Sequence, residues 1–130
     1  MRILLDTHCW LWAIEEPGRL NDRAVSILEN EEIDAFLSAA SAWEIAIKYG
    51  QGRLKLSEPP VSFIPSRLAR DGYAVLPIHL AHAIEAGGLP PLHRDPFDRI
   101  LVAQARIEEM TILTADPKIL AYDVEAIRAA

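Results

Sequence analysis

Four acidic residues, Asp6, Glu44, Asp98 and Asp116, fall at or just beyond the points where this chain changes from one structural segment to the next. Carboxylates brought together supply hard oxygen ligands, and such a set, with no thiolate and no paired histidines beside it, suits Mg²⁺ or Mn²⁺ rather than zinc. One or two ions held this way keep positions free for water and a substrate phosphate. A cation so placed generates a nucleophile from water at neutral pH, and two together stabilise the attacking and leaving oxygens of an in-line displacement. The expected chemistry is hydrolysis of a phosphodiester, with Asp6, Glu44, Asp98 and Asp116 as metal ligands and catalytic residues. It requires neither a histidine base nor a covalent intermediate, and it leaves open whether one ion or two is bound.

Each acid also has a structural explanation, because helix starts recruit acids and hydroxyls. Asp6 would cap a first helix, Ser41-Ala-Trp-Glu44 has the form of a capping box, Asp95-Pro96 places proline at a first helical position, and Asp116-Pro117 repeats that pattern. Capping does not require the acids to converge. Carboxylates ~5 Å apart repel by about 3 kcal/mol per pair at an effective dielectric near 20, and a bound divalent cation removes that penalty.

The elements that must position these groups alternate between two periodicities. Arg2 to Leu5 reads as a strand and Thr7 to Ile14 as a helix ended by Pro17-Gly18. Asn21 caps a helix through Asn30, and Ile33 to Leu37 is a second strand. The next helix opens at Ser38 or Ser41 and runs to Tyr49, with Trp43, Ile45, Ala46 and Ile47 for burial and Gly50 and Gly52 as stops. Residues 61 to 70 are expected to be helical despite Pro65, Tyr73 to Leu76 a strand, and His79 to Ala86 a helix ended by Gly87-Gly88. Asp95-Pro96 opens a helix through Ile107, Thr111 to Thr114 is a strand, Asp116-Pro117 opens a short helix, and Val124 to Ile127 is a last strand. Strands alternating with helices imply an α/β fold of three layers, α/β/α, around a central, mainly parallel sheet. Ligands of such sheets bind beyond the carboxyl ends of the strands, which is where Asp6, Glu44 and Asp116 are expected.

Length and composition fit this reading. The 130 residues suggest one domain spanning 1–130, long enough to bury roughly two thirds of the surface exposed by the unfolded chain. No apolar run approaches the ~20 residues of a membrane helix, and Asp6 arrives too early for a signal peptide, so a cytoplasmic protein without a membrane partner is expected. A single cysteine, Cys9, excludes an internal disulfide and a thiolate zinc cage. The net charge of −6 argues against generic binding to a polyanion. Its distribution is uneven, however: residues 1–40 carry three basic and eight acidic side chains, whereas residues 44–70 carry five basic and two acidic. Two bound divalent cations would bring −6 to −2.

The stretches Leu5-Asp6-Thr7-His8, Ser41-Ala-Trp-Glu44-Ile-Ala-Ile-Lys48, His93-Arg-Asp-Pro-Phe-Asp98-Arg-Ile-Leu-Val-Ala-Gln104-Ala and Leu113-Thr114-Ala-Asp116, in this order, resemble PIN domains, specifically the VapC-type toxins of bacterial toxin-antitoxin pairs. The similarity spans nearly the whole chain, and the third stretch is its most specific part. The resemblance implies a PIN-like domain and makes Asp6, Glu44 and Asp98 metal ligands, with Asp116 the fourth and more variable acid. It also implies an endoribonuclease cutting RNA to leave a 5′-phosphate and a 3′-hydroxyl, a homodimer, and a cognate antitoxin whose tail blocks the site. The alternative is a PIN-like protein-binding module without catalysis, against which the presence of all four acids argues.

Other residues carry two readings each. Thr7 orients Asp6 or serves as a helix-start hydroxyl; Lys48 pairs with Glu44 one turn earlier or meets RNA phosphate, and Arg99 has the same ambiguity beside Asp98. His79 and His82 lack a third zinc ligand. His8 and His93 read as edge or loop groups, and Trp10, Trp12 and Trp43 as core or dimer contacts, since base stacking requires exposure. Two rivals with similar folds fail on the first strand: a receiver domain needs an acidic pair there, where only Asp6 stands before Thr7, and a haloacid-type phosphatase needs Asp where His8 stands.

Overall fold

A computed structural model describes residues 1–130. Five strands, β1 (Arg2–Leu5), β2 (Asp34–Ser38), β3 (Ala74–Leu76), β4 (Thr111–Thr114) and β5 (Ala126–Arg128), form one sheet in the order β3-β2-β1-β4-β5. All four pairings are parallel. Seven helices connect them: α1 (Thr7–Glu15), α2 (Asp22–Glu29), α3 (Ala39–Gly50), α4 (Pro60–Asp71), α5 (Leu80–Gly88), α6 (Pro96–Glu108) and α7 (Pro117–Leu120), with a 3-10 turn at Pro17–Arg19. The expected α/β architecture is present. No helix is long and apolar enough to cross a membrane.

The central strand β1 explains the layering. Its residues point alternately to opposite faces, and all three of Ile3, Leu4 and Leu5 are fully buried, so both faces of the sheet must be covered. Ile3 and Leu5 join Trp10, Leu37, Ile45, Phe63, Leu68 and Leu113 in one core. Leu4 joins Leu101, Val102, Ala105, Ile112, Ile119 and Tyr122 in the other. Helices α1 to α4 thus feed the first core, and α6 and α7 the second.

Small shifts separate expectation from structure. The second strand lies one residue later than expected, and the last begins at Ala126, not Val124. Helix α3 begins after Ser38, whose Oγ accepts from the Ala40 amide at 3.0 Å. Pro65 sits inside α4, where the residue one turn earlier, Val61, is solvent-exposed, so water can reach the carbonyl that proline leaves unbonded. Burial on α3 differs more. The inward residues are Ala40, Ser41, Glu44 and Ile45, whereas Trp43 and Ala46, expected to be buried, are exposed and Ile47 is half-buried.

The order β3-β2-β1-β4-β5 places the switch in strand order between β1 and β4, because the chain first builds outward from β1 through β2 to β3 and then crosses to β4 and β5. Crevices form at the carboxyl ends of strands at such a point. The register Leu5↔Leu113 there sets the residue after β1, Asp6, beside Thr114 at the end of β4.

Candidate active site

Asp6 leaves β1 as the N-cap of α1 and is 4% exposed. Its Oδ1 accepts from the His8 amide at 3.0 Å, and its Oδ2 accepts from the Thr114 hydroxyl at 2.6 Å. Burial alone would raise its pKa; hydrogen bonds from His8 and Thr114 outweigh it and hold the carboxyl below the usual carboxylate range. Thr114 Oγ1 also accepts from the Asp116 amide at 3.0 Å, so one hydroxyl ties the ends of β1 and β4 together. The His8 imidazole is drawn in turn toward its charged form, chiefly by its bond to Asp6.

Glu44 lies in the second turn of α3 and is 2% exposed. Ser38, not Ser41, caps this helix, so Ser41-Ala-Trp-Glu44 is not a capping box. The Ser41 hydroxyl instead accepts from Thr7 Oγ1 at 2.8 Å, which joins α1 to α3. The Thr7 hydroxyl is thereby committed to structure. One Glu44 oxygen, Oε2, accepts from Lys48 Nζ at 2.7 Å, one turn along the helix. The other, Oε1, is buried without a hydrogen-bond partner. An unpartnered buried acceptor costs roughly 1–3 kcal/mol, and more when charged.

Asp98 occupies the first turn of α6, behind the N-cap Asp95, whose Oδ1 accepts from the Phe97 and Asp98 amides. Asp95 is thus a cap. The Asp98 carboxyl is pushed up to about 7, first by burial and then by the negative charges of Asp6, Asp95 and Glu44, against the lowering pull of His93. Asp116 caps α7 by accepting from the Lys118 amide at 2.9 Å.

His93, read from sequence as an edge or loop polar group, reaches into this cluster. Its Nε2 lies 2.7 Å from Asp98 Oδ2 and 3.2 Å from Asp116 Oδ2. One ligand atom from each of the three residues falls within a common 4.8 Å. Its loop is held from both sides. Arg99 donates to the carbonyls of Ala86, Leu89, Pro90 and His93, and Tyr122 accepts from the His93 amide at 3.0 Å. Arg99 therefore clamps a loop. His79 and His82 form no metal pair: His82 Nδ1 accepts from the His79 amide, and Nε2 meets Glu108 at 3.0 Å.

The donor set fits a divalent cation. It offers hard carboxylate oxygens with one imidazole nitrogen, one carboxyl strained toward its neutral form by its neighbours, and one buried carboxylate oxygen without any donor. Beside it, a cavity of about 170 Å³ is lined by Thr7, His8, Lys48 and Arg53 over Leu11 and Ile45. Cys9 is buried, and its thiol is pushed up to about 12 mainly by that burial, which removes it as a nucleophile.

The family model of the PIN domain matches residues 3–125. Ribonuclease VapC16 of Mycobacterium tuberculosis is 42% identical over 67 residues, which are 50% of this chain and 48% of that protein. The match thus spans about half the length of the curated relative. Among solved structures, VapBC2 from Rickettsia felis, bound to a DNA fragment from its promoter, superposes with a TM-score of 0.70 at 17% identity, covering 100% of both chains. FitAcB from Neisseria gonorrhoeae gives 0.61 at 25% identity, covering 97% of this chain and 96% of that one. VapBC-1 from nontypeable Haemophilus influenzae gives 0.66 at 18% identity, covering 98% of each.

Proposed function

Since the chain belongs to the PIN-domain family, we propose that it is a metal-dependent endoribonuclease and the toxin of a type II toxin-antitoxin pair. The observation that carries this reading is the cluster in which His93, Asp98 and Asp116 each bring one ligand atom within 4.8 Å of the others, with the charges of Asp6 and Glu44 acting on Asp98 and Glu44 Oε1 buried and unpartnered. Asp6, Glu44, Asp98 and Asp116 would hold Mg²⁺ or Mn²⁺. The bound cation would supply Lewis acidity toward a phosphodiester and make water available as a nucleophile at neutral pH.

The side chains have distinct tasks in this reading. Asp6, fixed at both oxygens by Thr114 and the His8 amide, presents a charged and oriented carboxylate. Lys48 donates to one oxygen of the buried Glu44 and leaves the second uncovered. His93 bridges Asp98 and Asp116 when no cation does, and so offsets part of their repulsion. Lys48 and Arg53, in the adjoining cavity, offer charge to a neighbouring phosphate of the RNA.

The partners follow from the same reading. A cognate antitoxin would silence the enzyme by placing an Arg or Lys among the carboxylates, where a guanidinium can meet two oxygens at once and compete with the cation. Trp10 is fully buried and is not available to that partner, whereas the half-buried Trp12 remains accessible. We further propose a homodimer acting in the cytoplasm, and one domain over residues 1–130. The test is incubation of the purified chain, freed of any partner, with mixed cellular RNA in Mg²⁺, Mn²⁺ or EDTA. Cleavage in either metal that EDTA abolishes is expected. Cleavage surviving EDTA removes the metal from the account, and metal binding without cleavage favours the protein-binding module.

A further inference from the structure

Helix α3 departs from the usual arrangement of a surface helix, since polar residues share its inward face with Ala40 and Ile45. Its polar residues Ser41 and Glu44 face inward, while the large aromatic Trp43 faces out at 58% exposure. Such an arrangement has no packing benefit, since exposing a large aromatic surface forgoes its burial. The neighbours of Trp43 give it a place. It adjoins Glu44 in sequence, and its ring meets Phe97, which adjoins Asp98, at a centroid distance of 5.2 Å and 82° between planes. This edge-on contact joins α3 to α6 at the rim of the acidic cluster. It also fixes the Trp43 ring, so little side-chain freedom is left to lose on binding a flat ligand.

The other tryptophans are differently placed. Trp10 is fully buried against Phe63, and Trp12 is half-buried with the Arg19 guanidinium 4.2 Å from its ring centroid. On the other side of Glu44 stand Lys48 and Arg53, lining the cavity with His8. Along α3 an exposed aromatic side chain (Trp43), a carboxylate (Glu44) and a cationic group (Lys48) follow one another. That sequence matches a single nucleic-acid strand, in which stacking surfaces and charged grooves take up bases and phosphates in turn.

We propose that Trp43 is a stacking platform for one unpaired base of RNA, next to the phosphate that is cut, and that it selects single-stranded over paired substrate. The proposal rests on the nuclease reading above and adds a residue that contacts a base of the substrate. A base in a duplex is already stacked on both faces and cannot lie on Trp43 without being pulled out, so paired RNA is the poorer substrate.

The test uses fluorescein-labelled single-stranded RNA and the chain carrying Asp98→Asn, which the proposed function makes inactive, with affinity read by anisotropy in Mn²⁺. Adding Trp43→Ala is expected to weaken binding about ten-fold, while Trp43→Phe retains most of the affinity. Systematic abasic substitution along the RNA should find one position whose loss costs as much as Trp43→Ala and costs nothing more when combined with it, as expected for two groups in contact. In the chain with Asp98 intact, Trp43→Ala should raise KM for single-stranded RNA and leave the already poor cleavage of duplex little changed. Far-ultraviolet circular dichroism checks that Trp43→Ala folds; if it does not, Trp43→Phe compared on intact and abasic RNA carries the test. Wild-type cleavage with no effect of Trp43 on affinity or KM overturns the platform alone, as does an equal loss on every abasic position. If Trp43→Ala instead abolishes capture of a protein partner and leaves RNA binding unchanged, Trp43 is a protein contact and the proposal falls. A chain that neither binds nor cuts RNA overturns the nuclease reading and the platform with it.

Discussion

Replacing Thr114 by Val exchanges a hydroxyl for a methyl of similar size, so it removes hydrogen bonds without opening a cavity. Two bonds are lost, one donated to Asp6 Oδ2 at 2.6 Å and one accepted from the Asp116 amide at 3.0 Å. Thr114 is fully buried, so water cannot replace the first. A hydrogen bond to a charged group is worth about 1.5–3 kcal/mol, and the amide near Asp116 is open enough to find solvent, so we expect a net loss of about 2–3 kcal/mol. At roughly 3–4 °C per kcal/mol for a chain this long, the Tm should fall by about 6–12 °C. The loss has a defined pH dependence. Asp6 is held below its ordinary value of 3.8, so the stability it contributes is fully present above that value and is lost as pH falls through its lower folded value. The difference between wild type and Thr114→Val should therefore be full at neutral pH and shrink below about pH 4. Urea unfolding in EDTA, followed by tryptophan fluorescence, measures it. In Mn²⁺ the gap should widen, because a loosened Asp6 binds the cation about ten-fold or more weakly and gains less stability from it. A change under about 0.5 kcal/mol at pH 7, or the same change at acid and neutral pH, would refute the claim that this hydroxyl holds Asp6 charged and in place.

Three further perturbations address the other groups. Glu44→Gln should leave the metal-free Tm unchanged or higher, since it removes one charge from a crowded cluster, and should weaken Mn²⁺ binding at least about ten-fold by calorimetry; a lower Tm with intact affinity would make Glu44 structural. Lys48→Met strips the partner from a buried carboxylate, so metal-free stability should drop by about 2 kcal/mol and Mn²⁺ should restore most of it; an equal loss with and without Mn²⁺ would separate Lys48 from the site. Asp98 holds its proton to about pH 7 in the folded chain, against 3.8 ordinarily, so its contribution to metal-free stability is complete at low pH and is lost as pH rises toward 7. Metal must displace that proton, so affinity should climb up to about ten-fold per pH unit below 7 with one proton released per ion, and a flat profile between about pH 5.5 and 8 would contradict it.

How much of this was legible in the sequence depended on whether a group acts through its own segment or across space. The helix starts at Asp6, Asp95-Pro96 and Asp116-Pro117 each combine a change of periodicity with a local cap, and each was readable because both signals lie within a few residues. Thr114 gave no such sign. It reads as an ordinary strand residue, and only the parallel register of β4 on β1, between segments 108 residues apart, brings its hydroxyl to Asp6. His93 was likewise hidden, because it sits after Pro90-Pro91 in a loop whose shape depends on Arg99 and Tyr122 reaching back to its backbone. On α3 the apolar count pointed Trp43 inward, but the inner face is shared by Ile45 in the first core, the Thr7–Ser41 hydrogen bond and a buried carboxylate. Ser41 and Glu44 take part of that face, and Trp43 is left outside.

On the reading proposed above, Asp6, Glu44, Asp98 and Asp116 together hold a divalent cation. Anomalous diffraction from crystals grown or soaked in Mn²⁺ tests it most directly. The account predicts a Mn²⁺ peak within bonding distance of carboxylate oxygens from Asp6 and Asp98, with Glu44 and Asp116 bound directly or through water, and with His93 either turned onto the ion or displaced from between Asp98 and Asp116. No peak at the carboxyl ends of β1 and β4 in saturating Mn²⁺, in crystals whose chain cuts RNA in the same buffer, would contradict it.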